Sequence, residues 1–148
     1  MSTDAMKVME WGPEYSMHVG ELDREHQIWF DMVNRLHQAM FEGTGVELLR
    51  TLSNEMMKHT LNHFSHEEQL MAAVQYPGAP AHIRQHDQLR QTARTFMARF
   101  ERGETTLTIE LMQFLSESVK QHIGTIDLEF GQYLNARAAA ASNGRTVL

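Results

Sequence analysis

The sequence predicts an all-α protein, an up-down-up-down antiparallel four-helix bundle with an irregular N-terminal arm. Two observations predict this fold. Four stretches repeat apolar residues at helical spacing, and glycine or proline interrupts the chain between them. Short connections make neighbouring amphipathic helices antiparallel. A chain of 148 residues can bury one hydrophobic core, so we expect a single domain over residues 1–148.

The N-terminal arm is predicted over residues 1–21, where two glycines and a proline prevent a continuous helix. We expect Trp11 and Tyr15 to hold this arm against the bundle. The bundle follows over residues 22–136.

The first helix is predicted from Leu22 to a C-terminal cap at Gly43. Its inward-facing residues are Leu22, Trp29, Phe30, Val33, Leu36, Met40 and Phe41. The second helix is predicted to start at Thr44, which forms a capping-box pattern with Glu47. Its inward-facing residues are Leu49, Met56, Thr60, His63, Glu67, Leu70 and Val74.

The third helix is predicted to begin near Pro80, a residue favoured in the first turn, and to stop at Gly103. Its inward-facing residues are His82, His86, Leu89, Ala93, Phe96 and Phe100. The fourth is nucleated around Thr105 or Thr106. Its inward-facing residues are Leu115, Val119, His122, Ile126, Phe130 and Tyr133. The tail, residues 137–148, extends this helix through its alanines and frays after the Asn-Gly pair.

The amino-acid composition argues against several classes of function. Cysteine is absent, which leaves no disulfide framework, thiolate metal site or thiol nucleophile. The formal net charge is −6 and the basic residues are scattered, whereas nucleic acid and anionic lipid both need a concentrated basic face. The chain shows no apolar run of about 18 residues and no export leader. We therefore expect a cytoplasmic monomer with no transmembrane segment and no nucleic-acid partner.

Nine histidines in a chain without cysteine are the unusual feature. Two i,i+4 pairs occur close together, His63 with Glu67 and His82 with His86. On a helix the members of each pair lie on one face, with Cβ atoms roughly 5–6 Å apart. The proline and glycine residues between the pairs let the second helix fold back beside the first. Both pairs can therefore contribute to one metal centre.

The other two helices place metal-binding side chains at the same level. At 1.5 Å rise per residue, His26 lies about 26 Å before the first turn and His63 roughly 29 Å after it. His86 lies about 26 Å before the third turn, and His122 and Asp127 lie roughly 26–33 Å after it. All four helices therefore bring histidine or carboxylate to one layer of the bundle.

The predicted metal ligands are His26, His63, Glu67, His82, His86, His122 and Asp127. Seven mixed nitrogen and oxygen donors exceed what one zinc ion needs and do not resemble the oxygen shell of magnesium. They suit two metal ions bridged by carboxylates. We leave out His59 and His66, which neighbour this set, and Glu68, which points about 140° from His63 around the helix. One inward histidine is usually a hydrogen-bonded core residue, but seven donors at one level indicate a site.

The motifs around these donors, LDREH, HFSHEE, HIRQH and HIGTID, resemble those of the hemerythrin family, and the likeness covers Trp11 to about Leu134. The resemblance implies one iron held by His82, His86 and His122, and a second held by His26 and His63. It also implies that Glu67 and Asp127 bridge the irons together with an oxo or hydroxo ligand. The two-His iron would keep an open position for O2.

Two departures from the family pattern lie near the expected O2 position. Many relatives have Trp-Leu before the His-Ile of the fourth helix, where this chain has Ser118-Val119. Trp29 stands three residues after His26, where leucine is commoner. We expect the O2 pocket to be formed by the apolar residues Trp29, Phe30, Val119 and Ile123.

The spacing between the last two predicted ligands is also irregular. His122 and Asp127 are five residues apart, which separates them by about 140° on an ideal helix. Either the two reach the centre from its two sides, or a π-type irregularity intervenes.

The resemblance implies reversible O2 binding rather than an enzyme activity, for oxygen storage, transport or delivery to an oxygen-using enzyme. One alternative is an O2-sensing module that acts through a partner. Another is a di-iron oxidase, but such enzymes use Glu-x-x-His pairs, and no glutamate stands three residues before a histidine here.

We expect the purified protein to contain about two iron ions per chain, because the seven donors suit two bridged metal ions. Iron and zinc would be measured by mass spectrometry against protein concentration from amino-acid analysis. A reproducible stoichiometry of one iron, or zinc in preference to iron after iron-replete growth, would contradict the di-iron interpretation.

Overall fold

The computed structural model describes residues 9–43, 45–103 and 109–146, and in the last range the side chains of 113 and 115–141. The helices are α1 (Gly20–Phe41), α2 (Val46–Val74), α3 (Ala79–Glu101), α4 (Ile109–His122) and α5 (Leu128–Thr146). A π-helical segment at Ile123–Asp127 joins α4 to α5 in one continuous rod, the α4–α5 rod. The predicted four-helix bundle is confirmed, and the described ranges contain no strand.

Glycines in the left-handed region end two of the helices. Gly43 has φ +67° and donates its N–H to the Met40 carbonyl over 3.2 Å, which confirms the predicted cap of α1. Gly103, with φ +72°, follows α3 in the same way. α1 begins at Gly20, two residues earlier than predicted. α5 continues to Thr146, so the prediction that the helix frays after the Asn-Gly pair is wrong.

The start of α2 also differs from its prediction. The helix begins at Val46 with Gly45 in the N-cap position, two residues beyond the expected start, and no side chain caps it. Thr44, the predicted capping residue, lies outside the described residues, as do Thr105 and Thr106.

Two apolar clusters flank a layer of histidines. The first cluster contains Met9, Trp29, Phe30, Val33, Leu36, Phe64, Val119 and Ile123, and the second contains Met17, Leu22, Met71 and Phe130. Phe64 stacks on His86 with ring centroids 4.1 Å apart, and Phe130 lies 5.9 Å from His82 edge to face. The histidine layer therefore lies between two apolar regions. Phe41, predicted to face inward, is 64% exposed because it is the last residue of α1.

The N-terminal arm packs beside the first cluster. Asn34 pairs with both backbone groups of Met9, accepting its N–H over 2.9 Å and donating to its carbonyl over 2.7 Å. Trp11 and Tyr15 pack edge to face against Phe30, with ring centroids 5.3 and 5.2 Å away. These contacts confirm that Trp11 and Tyr15 hold the arm against the bundle.

A second group of contacts fixes the arm where it enters α1. Asp23 accepts hydrogen bonds from the Ser16 hydroxyl over 2.7 Å and from the Met17 N–H over 2.8 Å. Asn135 of α5 donates to the Met17 carbonyl over 2.8 Å. Gly131 allows this approach, because a Cβ added there would lie 2.8 Å from the Met17 Cβ and 2.9 Å from its carbonyl oxygen.

We expect Gly131→Ala to lower the free energy of unfolding by about 1–3 kcal/mol, because the added methyl must displace Met17 backbone. This loss outweighs the roughly 1 kcal/mol that alanine gains over glycine inside a helix. Urea denaturation would measure it. Gly20→Ala is the matched control, since a Cβ there meets no heavy atom within 4 Å. A Gly131→Ala protein as stable as the unmodified protein would contradict the close approach.

Candidate metal centre

All seven predicted ligands lie in one layer of the bundle. α1 contributes His26, α2 contributes His63 and Glu67, α3 contributes His82 and His86, and the α4–α5 rod contributes His122 and Asp127. Each of these residues is at most 2% exposed. The bundle thus brings together every side chain of the predicted set, and the two i,i+4 pairs lie on inward faces as expected.

The π-helical segment explains how two residues five positions apart share one face. Ile123–Asp127 adds one residue to the turn, so a side chain at i+5 lies above the side chain at i. His122 Nε2 is consequently 3.1 Å from Asp127 Oδ1. Of the two explanations that the sequence left open, the structure shows the π-type irregularity.

Five of the donors form a three-histidine set. Donor atoms of Glu67, His82, His86, His122 and Asp127 all lie within 4.8 Å of one another. Asp127 Oδ1 is 2.8 Å from His82 Nε2. Glu67 Oε1 is 3.1 Å from His86 Nε2 and 3.6 Å from His82 Nε2. The three imidazoles therefore surround one point, with both carboxylates beside it.

Four donors form a two-histidine set that shares these carboxylates. His26 Nε2 lies 2.9 Å from His63 Nε2 and 3.2 Å from Asp127 Oδ2. Glu67 Oε1 lies 3.5 Å from His63 Nε2. Asp127 thus directs one oxygen towards each set, and Glu67 also borders both. The two sets differ by one histidine.

The buried polar atoms of this layer fit a bound cation. Both oxygens of Glu67 and of Asp127, together with Nε2 of His82, His86 and His122, are buried without a hydrogen bond. An unsatisfied buried polar group costs about 1–3 kcal/mol, and more when it is charged. Imidazole nitrogens and carboxylate oxygens are ligands that divalent transition metals accept. The side chains in this layer therefore fit a bound metal cation, as the donor pattern predicts.

Burial keeps His63 and His86 in the form that binds metal. Desolvation lowers the pKa of His63 to about 4, against a raising effect of Glu25. Desolvation, with the neighbouring His122 and His82, lowers the pKa of His86 to about 2. Both imidazoles are therefore neutral near pH 7, as ligation requires.

The two carboxylates shift in opposite directions. Burial raises the pKa of Glu67, and the nearby Asp127 carboxylate adds to the increase. Burial also opposes ionisation of Asp127, but His122, His26 and His82 outweigh it and hold the pKa of Asp127 below its usual value. Of the two carboxylates, Glu67 therefore holds a proton more strongly, and a metal would compete with that proton.

Glu25 orients the two-histidine set from outside. His63 Nδ1 donates to one Glu25 oxygen over 2.6 Å, and His66 Nδ1 donates to the other over 2.6 Å. His59 Nε2 donates to the Glu25 carbonyl over 2.8 Å. Because Nδ1 of His63 holds the proton, its Nε2 lone pair is free for a metal. His59 and His66, excluded as ligands, belong to this outer layer.

Glu68 and Gln85 act similarly on the three-histidine set. His86 Nδ1 donates to Glu68 over 2.8 Å, and Arg90 pairs with the same Glu68 oxygen. Gln85 accepts a hydrogen bond from His122 Nδ1. Glu68, considered as a rival ligand, is thus an acceptor behind a ligand.

The outer roles of Glu25, Gln85 and Arg90 were not predicted from the sequence. The sequence does place two of them directly before predicted ligands, since Glu25 precedes His26 and Gln85 precedes His86. Nothing in the sequence indicates Arg90, which reaches Glu68 from four positions beyond His86.

The predicted pocket residues belong to one apolar cluster, which borders the two-histidine set through Trp29. Trp29, Phe30, Val119 and Ile123 are all buried in the first apolar cluster. The Trp29 ring centroid is 5.7 Å from that of His63. Trp11 of the arm lies 6.4 Å from His26 by the same measure. Aromatic and aliphatic side chains therefore border this side of the layer.

Comparison with known proteins agrees with this geometry. The profile of the family described as "Hemerythrin HHE cation binding domain" matches residues 17–134. The chain belongs to the hemerythrin family. It is 30% identical to the bacteriohemerythrin of Methylococcus capsulatus over 132 residues, which cover 88% of this chain and 100% of that protein. It is 22% identical to the myohemerythrin of Riftia pachyptila, over 88% of this chain and 97% of that one.

Solved hemerythrin structures have the same fold. A crystal structure of wild-type hemerythrin superposes with a TM-score of 0.80 at 27% identity, covering 84% of this chain and 95% of that chain. A hemerythrin variant structure gives a TM-score of 0.82 over 86% and 97% of the two chains. No described helix is long and apolar enough to cross a membrane.

We expect His122→Ala to abolish stable iron loading, since it removes a donor and leaves Asp127 with an uncompensated buried charge. His82→Ala should behave in the same way. His59→Ala and His66→Ala are the matched controls, because neither residue belongs to the two donor sets, and they should retain iron. Iron per chain after gel filtration would be measured. A loss of iron in His59→Ala as severe as in His122→Ala would show that the ligands of α2 are wrongly assigned.

Proposed function

We propose that this chain binds O2 reversibly at a di-iron centre. Its ligands are His26, His63, Glu67, His82, His86, His122 and Asp127, with Glu67 and Asp127 bridging two iron ions. One observation supports this most strongly: the donors divide into two sets that share both carboxylates and differ by one histidine. Membership in the hemerythrin family supports it independently.

The two sets offer different numbers of protein donors to the two metal positions. His82, His86 and His122 with two carboxylates supply five protein donors to one metal position. His26 and His63 with the same carboxylates supply four to the other. A small ligand can therefore be added on the His26 and His63 side without displacing a protein side chain. Bound iron supplies the redox chemistry of oxygen uptake and release.

The side chains around this position keep bulk water away. Trp29 is buried next to His63, Phe30 and Ile123 are buried in the same apolar cluster, and Trp11 of the arm packs against His26. An apolar surround disfavours separated charges and so favours release of neutral O2 over loss of a charged reduced species. This is the role we assign to the predicted O2 pocket.

The outer hydrogen bonds hold the ligands in one tautomer. Glu25 fixes the proton of His63 on Nδ1, and Glu68 does the same for His86. Such partners typically change metal affinity or activity 10–100-fold when removed. Preorganised imidazoles reduce the rearrangement that metal binding and oxygen uptake would otherwise require.

The donor chemistry favours carriage over oxidation. Five imidazoles and two carboxylates provide few anions to stabilise high-valent iron, unlike the carboxylate-rich centres of di-iron oxidases. We therefore assign the chain to oxygen storage, transport or delivery to an oxygen-using enzyme.

We expect the reduced, iron-loaded protein to be colourless under argon, to gain a visible charge-transfer band in air and to lose it again under argon. Stopped-flow and static absorbance spectra would follow repeated cycles. His59→Ala should cycle in the same way, whereas His26→Ala removes a donor from the two-histidine set and should not.

An irreversible conversion to the ferric form in a single exposure to air, with no oxygenated intermediate, would contradict a carrier. That result would favour the oxidase alternative.

A further inference from the structure

A cavity of about 250 Å³ lies next to the histidine layer, on the side of the first apolar cluster. Its lining residues come from α1, α2, α3 and α4. Trp29 and Phe64 are buried at its inner wall, whereas Gln88 and Thr92 are exposed at its outer edge. The cavity thus extends from the neighbourhood of the metal centre towards the surface of α3.

Small side chains leave this space open. Ala93 of α3 and Ser118 of α4 both line the cavity, and Val119 follows Ser118. Larger residues at these positions would fill the space between the two helices. A cavity of this size forfeits packing contacts, which makes it costly for stability unless something occupies it.

The lining indicates the chemistry of an occupant. Its described residues include no charged side chain, which excludes an ion, and most are aliphatic or aromatic. The Thr60 hydroxyl already donates to the Met56 carbonyl over 2.8 Å, so it needs no partner from a ligand. Trp29 and Phe64 are 5.7 Å apart edge to face, and Met56 adds a polarisable sulfur.

We propose that this cavity binds a small uncharged aromatic molecule. An engineered apolar cavity of about 150 Å³ is enough for benzene, so this one admits a ring of about six to ten non-hydrogen atoms. Aromatic walls favour offset or edge-to-face contacts with such a ring. The polar edge at Gln88 and Thr92 would meet a single hydroxyl or amine on the ring, if it has one.

The occupant would lie one ring away from the metal ligands. Phe64 stacks on His86 at 4.1 Å, and Trp29 contacts His63 at 5.7 Å between centroids. None of the predicted metal ligands lines the cavity. Ligand binding therefore requires no change in metal coordination, and it can be measured whatever metal the protein holds.

Calorimetric titration of the purified protein with toluene tests the proposal, with benzoate as the charged comparison. We expect toluene to bind at one site per chain and benzoate to bind at least tenfold more weakly, because none of the described lining residues is cationic. At ten times its Kd, toluene should raise Tm by about 3–6 °C. No heat or Tm change up to the aqueous solubility of toluene would overturn the proposal, as would equal binding of benzoate.

Two alanines of α3 provide a matched pair of variants. Ala93→Phe fills the cavity and should weaken toluene binding at least tenfold, whereas Ala98→Phe adds the same ring at an exposed position and should not. Circular dichroism would check folding, and Ser118→Leu fills the same space if Ala93→Phe does not fold. Toluene binding that persists in the filled variants would place it elsewhere and overturn the assignment. Failure of oxygen binding would leave this test unaffected.

Discussion

The burial of five imidazoles and two carboxylates in one layer constrains every other part of this protein. An unsatisfied polar group inside a protein costs about 1–3 kcal/mol, and several together approach the whole stability of an ordinary domain, about 5–15 kcal/mol. The polar groups of this layer therefore need partners, and a cation shared by converging donors would supply them. For the donor atoms to meet at one place, each helix must have one rotation about its axis and one height along the bundle. The packing of the helices and the geometry of the site therefore determine each other.

Hydrogen bonds around the outside of the layer further fix the positions of the donor side chains. Glu25 binds both His63 and His66, and Glu68 joins His86 to Arg90, so neighbouring helices are linked behind the donors as well as through them. These outer hydrogen bonds are unequally distributed, since Nδ1 of His26 and of His82 has no hydrogen-bond partner among the described residues. The polar contacts of these two imidazoles are therefore those of Nε2, inside the layer, and one of the two belongs to each donor set.

Much of the fold and of the donor layer could be predicted, because both depend on periodicity. Spacing of three and four residues identifies helix faces, and a fixed rise per residue places His26, His63, His86 and His122 at one height. The five-residue spacing of His122 and Asp127 raised a π-type irregularity as one of two explanations, but the apolar pattern could not choose between them, because one extra residue in a turn changes that pattern little. The outer partners could not be predicted, since contacts such as Arg90 to Glu68 depend on side-chain rotamers and on the separation of two helices. Terminal positions such as Phe41 were misjudged because a periodic pattern does not show where the neighbouring helix ends.

The contact between the arm and the end of the bundle has a consequence for the order of assembly. The hydrogen bond from Asn135 to the Met17 carbonyl joins residues 118 positions apart. Residues made early in translation thus wait for a partner made near its end, and closing so long a loop is entropically unfavourable until the helices have formed. The bond between Met9 and Asn34 spans only 25 positions, so this part of the arm can settle on α1 before the chain closes at Met17.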